Sequence, residues 1–172
     1  MKRLGLLVLA ACVMTAGCDD DPTGPSNLPL VFTANMRASN ETAAVTGPES
    51  SGTGAATVTM NVTRDSAGNV TGGTVDMNWQ VHNLPTTTNL ILSHIHVGSA
   101  VVAGPVVVDT GMRPTAPIPV SGDGTATFNV TGVAASVDLL NQIIANPSGY
   151  YFNVHSQQHP AGVVRGQLTR VQ

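Results

Sequence analysis

Hydrophobic and polar residues alternate along much of this chain, with the period of β-strands that have one buried and one solvated face. The clearest run is Thr-Val-Thr-Met-Asn-Val-Thr at residues 57–63. A loop at 64–69 containing Asp, Ser and Gly separates it from a second alternating run at 70–84. One face of the second run carries Val75, Met77, Trp79 and Val81. The two runs predict an antiparallel hairpin with Trp79 in the core.

Shorter runs of the same kind predict the remaining elements. Further strands are expected at residues 30–38, 89–97, 105–110, 125–131, 150–156 and 163–171. Three prolines break residues 110–120 into an irregular loop. One short helix is expected at 136–145, with Ser136 as its N-cap and Pro147 after its end. The pattern predicts an all-β fold, an antiparallel Greek-key β-sandwich of the immunoglobulin-like or superoxide-dismutase-like kind.

The first residues have the order of a secretory signal peptide, which we place at 1–17. Lys2 and Arg3 precede an apolar run at 4–13 that is too short to span a bilayer. Residues 16–18, Ala-Gly-Cys, resemble the lipobox of bacterial lipoproteins, in which the cysteine becomes the acylated N-terminus. Cys12 also follows lipobox-like letters, but cleavage there would leave a very short apolar region. Cys18 is therefore the expected lipidation site.

The residues after Cys18 predict a tether followed by one domain. Residues 18–27 are acidic and rich in Pro, Gly and Ser, as in a flexible linker, and residues 28–172 suffice for one core. Localisation in the cell envelope follows, with the lipid anchor in a membrane. The net charge of −3 and the lack of a Lys/Arg cluster argue against a nucleic-acid partner.

Four of the five histidines fall in two short segments and form the main candidate for chemistry. His94 and His96 share one face of a predicted strand, about 6.6 Å apart at two residues' rise. His155 lies on a later strand, and His159 follows it in a loop. Imidazoles at this spacing predict a copper or zinc site formed by His94, His96 and His155, completed by His159 or His82. The alternative is a structural role, with the imidazoles hydrogen-bonded where the strands meet.

Hydrolytic catalysis is disfavoured. Ser93 and His94 are adjacent on a strand and point to opposite faces, and the sequence has no Gly-x-Ser-x-Gly elbow. We predict no catalytic residue.

Four segments together resemble the hallmark segments of the CHRD domain family. In chain order they are His-Ile-His-Val-Gly at 94–98, Gly-Pro-Val-Val at 104–107, Tyr-Phe-Asn-Val-His-Ser at 151–156 and Pro-Ala-Gly-Val-Val-Arg-Gly-Gln-Leu at 160–168. The resemblance covers residues 28 to about 171. Within these segments, the residues that match the family motif are Gly98, Gly104, Pro105, Asn153, Arg165, Gly166 and Gln167.

The resemblance implies an exported domain that binds or scaffolds an extracytoplasmic ligand or protein without catalysis. The alternative is a copper or zinc protein of the same fold, possibly with superoxide-dismutase-like redox activity. One position departs from the family, since Val163 stands where Glu is usual. If that Glu normally pairs with the arginine, Arg165 needs another partner here, either Asp109 or backbone carbonyls.

Overall fold

The computed structural model describes residues 27–172, and its strands form one antiparallel sheet. The strands are β1 Leu30–Arg37, β2 Thr53–Arg64, β3 Val70–His82, β4 Asn89–Val97, β5 Val106–Asp109, β6 Ile118–Pro119, β7 Ala126–Ala134, β8 Tyr150–Ser156 and β9 Val164–Arg170. One α-helix, α1, spans Val137–Ala145, and 3-10 turns lie at Ala38–Asn40, Gly47–Ser51 and Pro147–Gly149. The predicted signal peptide, both cysteines and the tether up to residue 26 lie outside the described residues.

The sheet runs in the order β5-β4-β8-β9-β1-β2-β3-β7, with β6 beside β4. This nearly closed sheet confirms the all-β, antiparallel prediction. The hairpin predicted from alternation is β2–β3, and its loop is closed by Asp65 N–H donating to the Asn69 carbonyl at 3.0 Å.

The core lies between the two halves of the sheet. The four predicted inward residues of β3 are at most 1 % exposed. Trp79 Nε1 on β3 donates to Ser93 Oγ on β4 at 3.0 Å, although the two strands are far apart in the sheet order. The sheet therefore wraps over itself, so that the inner faces of its halves meet as in a sandwich.

Helix α1 begins where its sequence predicts. The Ser136 hydroxyl accepts from Leu139 N–H at 3.2 Å, which satisfies one of the free amides of the first turn. Leu140 and Ile143 are fully buried in the main core. Within residues 27–172 no helix is long and apolar enough to cross a membrane.

Strands β2 and β7 differ from the sequence prediction by three or more residues at one end, β1, β3, β5 and β9 differ by one or two, and one short strand was missed. β2 begins at Thr53, four residues early, because Gly54 and two alanines hide the alternation there. β7 continues to Ala134. The predicted loop at 110–120 contains the two-residue strand β6, where Ile118 pairs with Leu90.

Candidate metal site

The candidate site lies on the face of β4 and β8 opposite the apolar core. His94 pairs with Asn153 across the two strands, and His96 pairs with Tyr151. Because alternate residues share a face, His155 lies on this same side, two residues beyond Asn153. Ser93 points the other way, where its hydroxyl contacts Thr110 Oγ1 at 2.8 Å. The strand alternation that buries Ser93 therefore brings the histidines together.

Three histidines form a compact cluster. One ring nitrogen each of His94, His96 and His155 lies within 4.8 Å of the others. The ring centroids are 5.5 Å apart for His94 and His96, and 5.1 Å apart for His94 and His155. The three residues are 6–8 % exposed, so the cluster is largely shielded from solvent.

Backbone carbonyls fix the protonation of two of these rings. His96 Nδ1 lies 2.9 Å from the Gly104 carbonyl oxygen, and His155 Nδ1 lies 2.9 Å from that of Pro160. Because a carbonyl can only accept, each Nδ1 carries the proton and each Nε2 keeps its lone pair. Both Nε2 atoms are therefore available as metal ligands.

The ring of His94 is held between His155 and an acidic side chain. Its Nδ1 lies 3.2 Å from His155 Nε2, which has no proton to give, so His94 Nδ1 is the donor. Its other nitrogen, Nε2, lies 3.8 Å from Asp109 Oδ1. Asp109 in turn accepts from Gly111 N–H at 2.8 Å and from Arg113 Nη1 at 3.0 Å.

The surroundings favour the neutral form of all three imidazoles. Burial lowers the pKa of His94 and outweighs the opposing effect of Asp109. Burial also lowers the pKa of His96, against the hydrogen bond to Gly104. For His155, burial lowers the pKa to about 4, against the hydrogen bond to Pro160. Neutral imidazole is the form that binds metal.

Two acceptor atoms on this face have no partner. Within residues 27–172, the buried side-chain polar atoms without a hydrogen bond are His96 Nε2 and Asn153 Oδ1. Asn153 is 2 % exposed and lies between His94 and His155 on the sheet. Buried polar groups without a protein partner are rare, and an ordered water or an ion can satisfy them. Here both atoms carry lone pairs, which suits a cation.

The other two histidines lie outside the cluster. His159 Nδ1 contacts Glu49 Oε2 at 2.6 Å, and its Nε2 accepts from Thr46 N–H at 3.2 Å, so both of its nitrogens are engaged. His82 is at the end of β3, where it pairs with Thr53 on β2. The cluster therefore contains three of the five histidines considered from the sequence.

Two glutamates near the site were not singled out from the sequence. Glu49 is fully buried and accepts from Thr88 and Ser156, at 2.7 and 2.6 Å, besides contacting His159. Glu41 accepts from Asn153 Nδ2 at 3.2 Å. Burial raises the pKa of Glu41 to about 7, against the effects of Arg165 and Asn153. Both glutamates lie outside the strands, where alternation gives no signal.

A profile of the CHRD domain matches residues 32–168, from β1 to β9. The chain belongs to the CHRD domain family. No curated protein matches it significantly.

In this CHRD domain Arg165 fastens a loop and does not pair with Asp109. Its Nη2 donates to the carbonyls of Ser99 at 2.6 Å and Val102 at 3.1 Å and to Gln167 Oε1 at 3.3 Å, so its closest partners are backbone carbonyls. Its guanidinium carbon lies 3.5 Å from the centre of the Tyr151 ring, which also stacks on His96 with centroids 4.8 Å apart. Because β8 lies between β4 and β9, Tyr151 is held between the arginine and the imidazole. Val163, at the departing position, is fully buried in the apolar core.

The other family positions shape the loop that carries the Gly104 carbonyl. Gly98 has a φ of +153°, and a β-carbon there would lie 2.6 Å from the Val102 carbonyl oxygen. A β-carbon at Gly104 would collide with the Val97 carbonyl oxygen, and one at Gly166 with the Asn35 backbone. The Pro105 carbonyl accepts from Val97 N–H, and Gln167 Nε2 donates to the Gly98 carbonyl. Gly98, Gly104, Pro105 and Gln167 thus set the backbone that orients His96, whereas Gly166 allows β9 to lie close to β1.

Proposed function

We propose that this CHRD domain is an exported, lipid-anchored binding module that holds one copper or zinc ion through His94, His96 and His155. The observation that carries the proposal is the convergence of three imidazole nitrogens within 4.8 Å on a polar face of the sheet. The ion is a bound ligand of a non-enzymatic domain in the cell envelope.

The spacing of the nitrogens fits coordination. Metal–nitrogen bonds of ~2.0 to 2.1 Å in a tetrahedral site place two ligand nitrogens about 3.4 Å apart. His94 Nδ1 and His155 Nε2 are already 3.2 Å apart. An ion between them therefore needs only small adjustments of the rings.

The hydrogen bonds around the rings also support metal binding. The carbonyls of Gly104 and Pro160 hold His96 and His155 with their Nε2 lone pairs free. Ligating histidines commonly donate their other ring N–H to a carbonyl or carboxylate. A metal ion would give the buried lone pair of His96 Nε2 the partner that it lacks among the protein groups of residues 27–172.

Metal content tests the proposal directly. The mature protein, purified without chelator or affinity tag, is analysed by mass spectrometry beside His94→Gln and His155→Gln. We expect close to one copper or zinc per chain in the wild type and a loss of it in both variants. His82→Gln, which changes a histidine outside the cluster, is the matched control and should retain the ion.

Thermal unfolding gives a second readout. At a free ion concentration 100 times the Kd, binding to the folded state adds about 2.7 kcal/mol of stability. For a domain of this size that raises Tm by roughly 5–10 °C. Folded His94→Gln protein should show no such rise. If the wild type binds no ion and both variants keep its stability, the histidines are structural and the metal proposal is wrong.

The lipid anchor rests on the residues before the domain. The proposal places acyl chains on Cys18 and the domain beyond a short tether. Metabolic labelling with an alkyne fatty acid in a bacterial host should label the wild type and Cys12→Ala but not Cys18→Ala. If the label is lost in Cys12→Ala instead, Cys12 is the acylated residue. If the wild type is not labelled, the proposal of a lipid anchor is wrong.

A further inference from the structure

We infer that Asp109 completes the metal site as the hydrogen-bond partner of His94, which binds the ion through Nδ1 while its proton resides on Nε2. His96 and His155 bind through Nε2. This inference rests on the proposed function and names the nitrogen that each ring uses.

His94 is oriented by contacts at both of its ring nitrogens. Its Nδ1 faces the cluster, since it lies 3.2 Å from His155 Nε2. Its Nε2 lies 3.8 Å from Asp109 Oδ1. Because the contact with His155 is made by Nδ1, Nδ1 is the nitrogen placed to share an ion with His155.

The ring proton of His94 must change nitrogen when an ion binds at Nδ1. In the metal-free site His94 Nδ1 must carry the proton, because His155 Nε2 accepts from it. An ion at Nδ1 requires the lone pair that this proton occupies. The proton leaves Nδ1 and a proton is taken up at Nε2 through water, so the ring stays neutral and no net proton is released.

Asp109 is placed to accept a hydrogen bond from His94. With its proton on Nε2, the His94 ring can donate to the Asp109 carboxylate. The two atoms are 3.8 Å apart, so a short movement of the ring brings them within hydrogen-bond distance. The Asp109 carboxylate already accepts from Gly111 N–H at 2.8 Å and pairs with the Arg113 guanidinium at 3.0 Å, which holds it beside the His94 ring. Its side chain is 43 % exposed, and its oxygens have lone pairs left to accept a further hydrogen bond. A carboxylate in this position fixes the tautomer of a ligating histidine and makes the ring a better ligand.

The direct test is nitrogen NMR of the histidine rings. In metal-free protein labelled with ¹⁵N-histidine, long-range proton–nitrogen spectra should show the His94 proton on Nδ1. After addition of one equivalent of Zn²⁺, the proton should be on Nε2, while His96 and His155 keep theirs on Nδ1. A zinc-bound His94 with the proton still on Nδ1 would overturn the inference.

Substitutions separate the carboxylate from the loop that carries it. Asp109→Asn should weaken zinc binding about 10- to 100-fold in a competition titration. Arg113→Ala breaks the Asp109–Arg113 pair but keeps the carboxylate, so it is the matched control and should leave the zinc Kd within about threefold of the wild type. If both variants lose the same zinc affinity, the conformation of the loop and not the Asp109 carboxylate supports zinc binding, and the inference is contradicted.

The two proposals fail in different ways. If the wild type binds neither zinc nor copper, the metal site itself is wrong. If it binds zinc with full affinity in Asp109→Asn and His94 ligates through Nε2, the metal site stands and the role of Asp109 is wrong.

Discussion

Glu41 has an unusual environment for an acidic side chain in the loop after β1. It receives hydrogen bonds from Asn153 Nδ2 to both carboxylate oxygens, at 3.2 and 3.3 Å. It also borders a cavity of about 610 Å³ that Arg165 and Gln167 line from the sheet. Burial nevertheless raises its pKa to about 7, since Arg165 and Asn153 only partly offset the loss of solvent. The side chain thus changes charge near neutral pH.

This titration should appear in the stability of the domain. The pKa of Glu41 is higher in the folded state, about 7, than the ordinary value of 4.5. The folded state therefore binds the proton more tightly, and the contribution of Glu41 to stability falls as pH rises from about 4.5 to 7. Such a shift corresponds to at most about 3 kcal/mol, and partial exposure reduces it to about 2 kcal/mol.

The measurement is urea unfolding of the wild type and Glu41→Gln at several pH values. The difference between the two isolates Glu41 from the other titrating groups. Between pH 4.5 and about 7.5, we expect the free energy of unfolding of Glu41→Gln to rise by about 2 kcal/mol relative to that of the wild type. Asp65→Asn is the control, because hydrogen bonds from Asn69 lower the pKa of Asp65 and its effect should be flat in this range. If the difference in free energy of unfolding between Glu41→Gln and the wild type does not change with pH, the raised pKa of Glu41 is contradicted.

At the scale of elements, a buried carboxylate joins the 3-10 turn Gly47–Ser51 to the loop after β8. The hydroxyls of Thr88 and Ser156 and the Nδ1 of His159 all contact the carboxylate of Glu49. His159 Nε2 accepts from Thr46 N–H, so Nδ1 carries the proton and needs an acceptor. The same loop carries the Pro160 carbonyl that orients His155.

Glu49→Gln should therefore be strongly destabilising. The glutamine oxygen can keep the bonds from Ser156 and His159, but the Thr88 hydroxyl must then turn to accept from the NH₂ group. The remaining bonds also lose their charged acceptor, so we expect a loss of about 1–3 kcal/mol in urea unfolding. A double-mutant cycle with His159→Gln should give a coupling of about 1–2 kcal/mol. Independent, additive effects would show that the two side chains do not act together.

The sequence predicts the strands of the site better than the loops around it. The predicted bounds of β4 and β8 match the structure because alternation and turn residues mark both ends. The approach of His94 to His96 follows from their spacing on one strand. His159 could not be assigned in this way, since its partner Glu49 is 110 positions away in the chain. Glu41 and Asn153 are 112 positions apart, and no local pattern reports such a pair.

At the scale of the whole molecule, the candidate site occupies one side of the sheet order. His94 and His96 are on β4 and His155 is on β8, beside the edge strand β5. Strand β7 lies at the other end of the order, and α1 follows it in the chain and packs against β3. The loops 98–105 and 157–162 provide the carbonyls that hold the rings. An ion would therefore join β4, β8 and two loops without contacting β7 or α1.

Amide hydrogen exchange should reveal this asymmetry. Local openings of the two loops separate the carbonyls from the rings, so zinc should suppress those openings and slow exchange there. The core amides of β2 and β3 that exchange through global unfolding should slow by the full binding free energy. Amides of β7 and α1 that open locally should not change, because those openings leave the site intact. His155→Gln protein should show no response to zinc, and slowing confined to β7 and α1 would place the ion elsewhere in the domain.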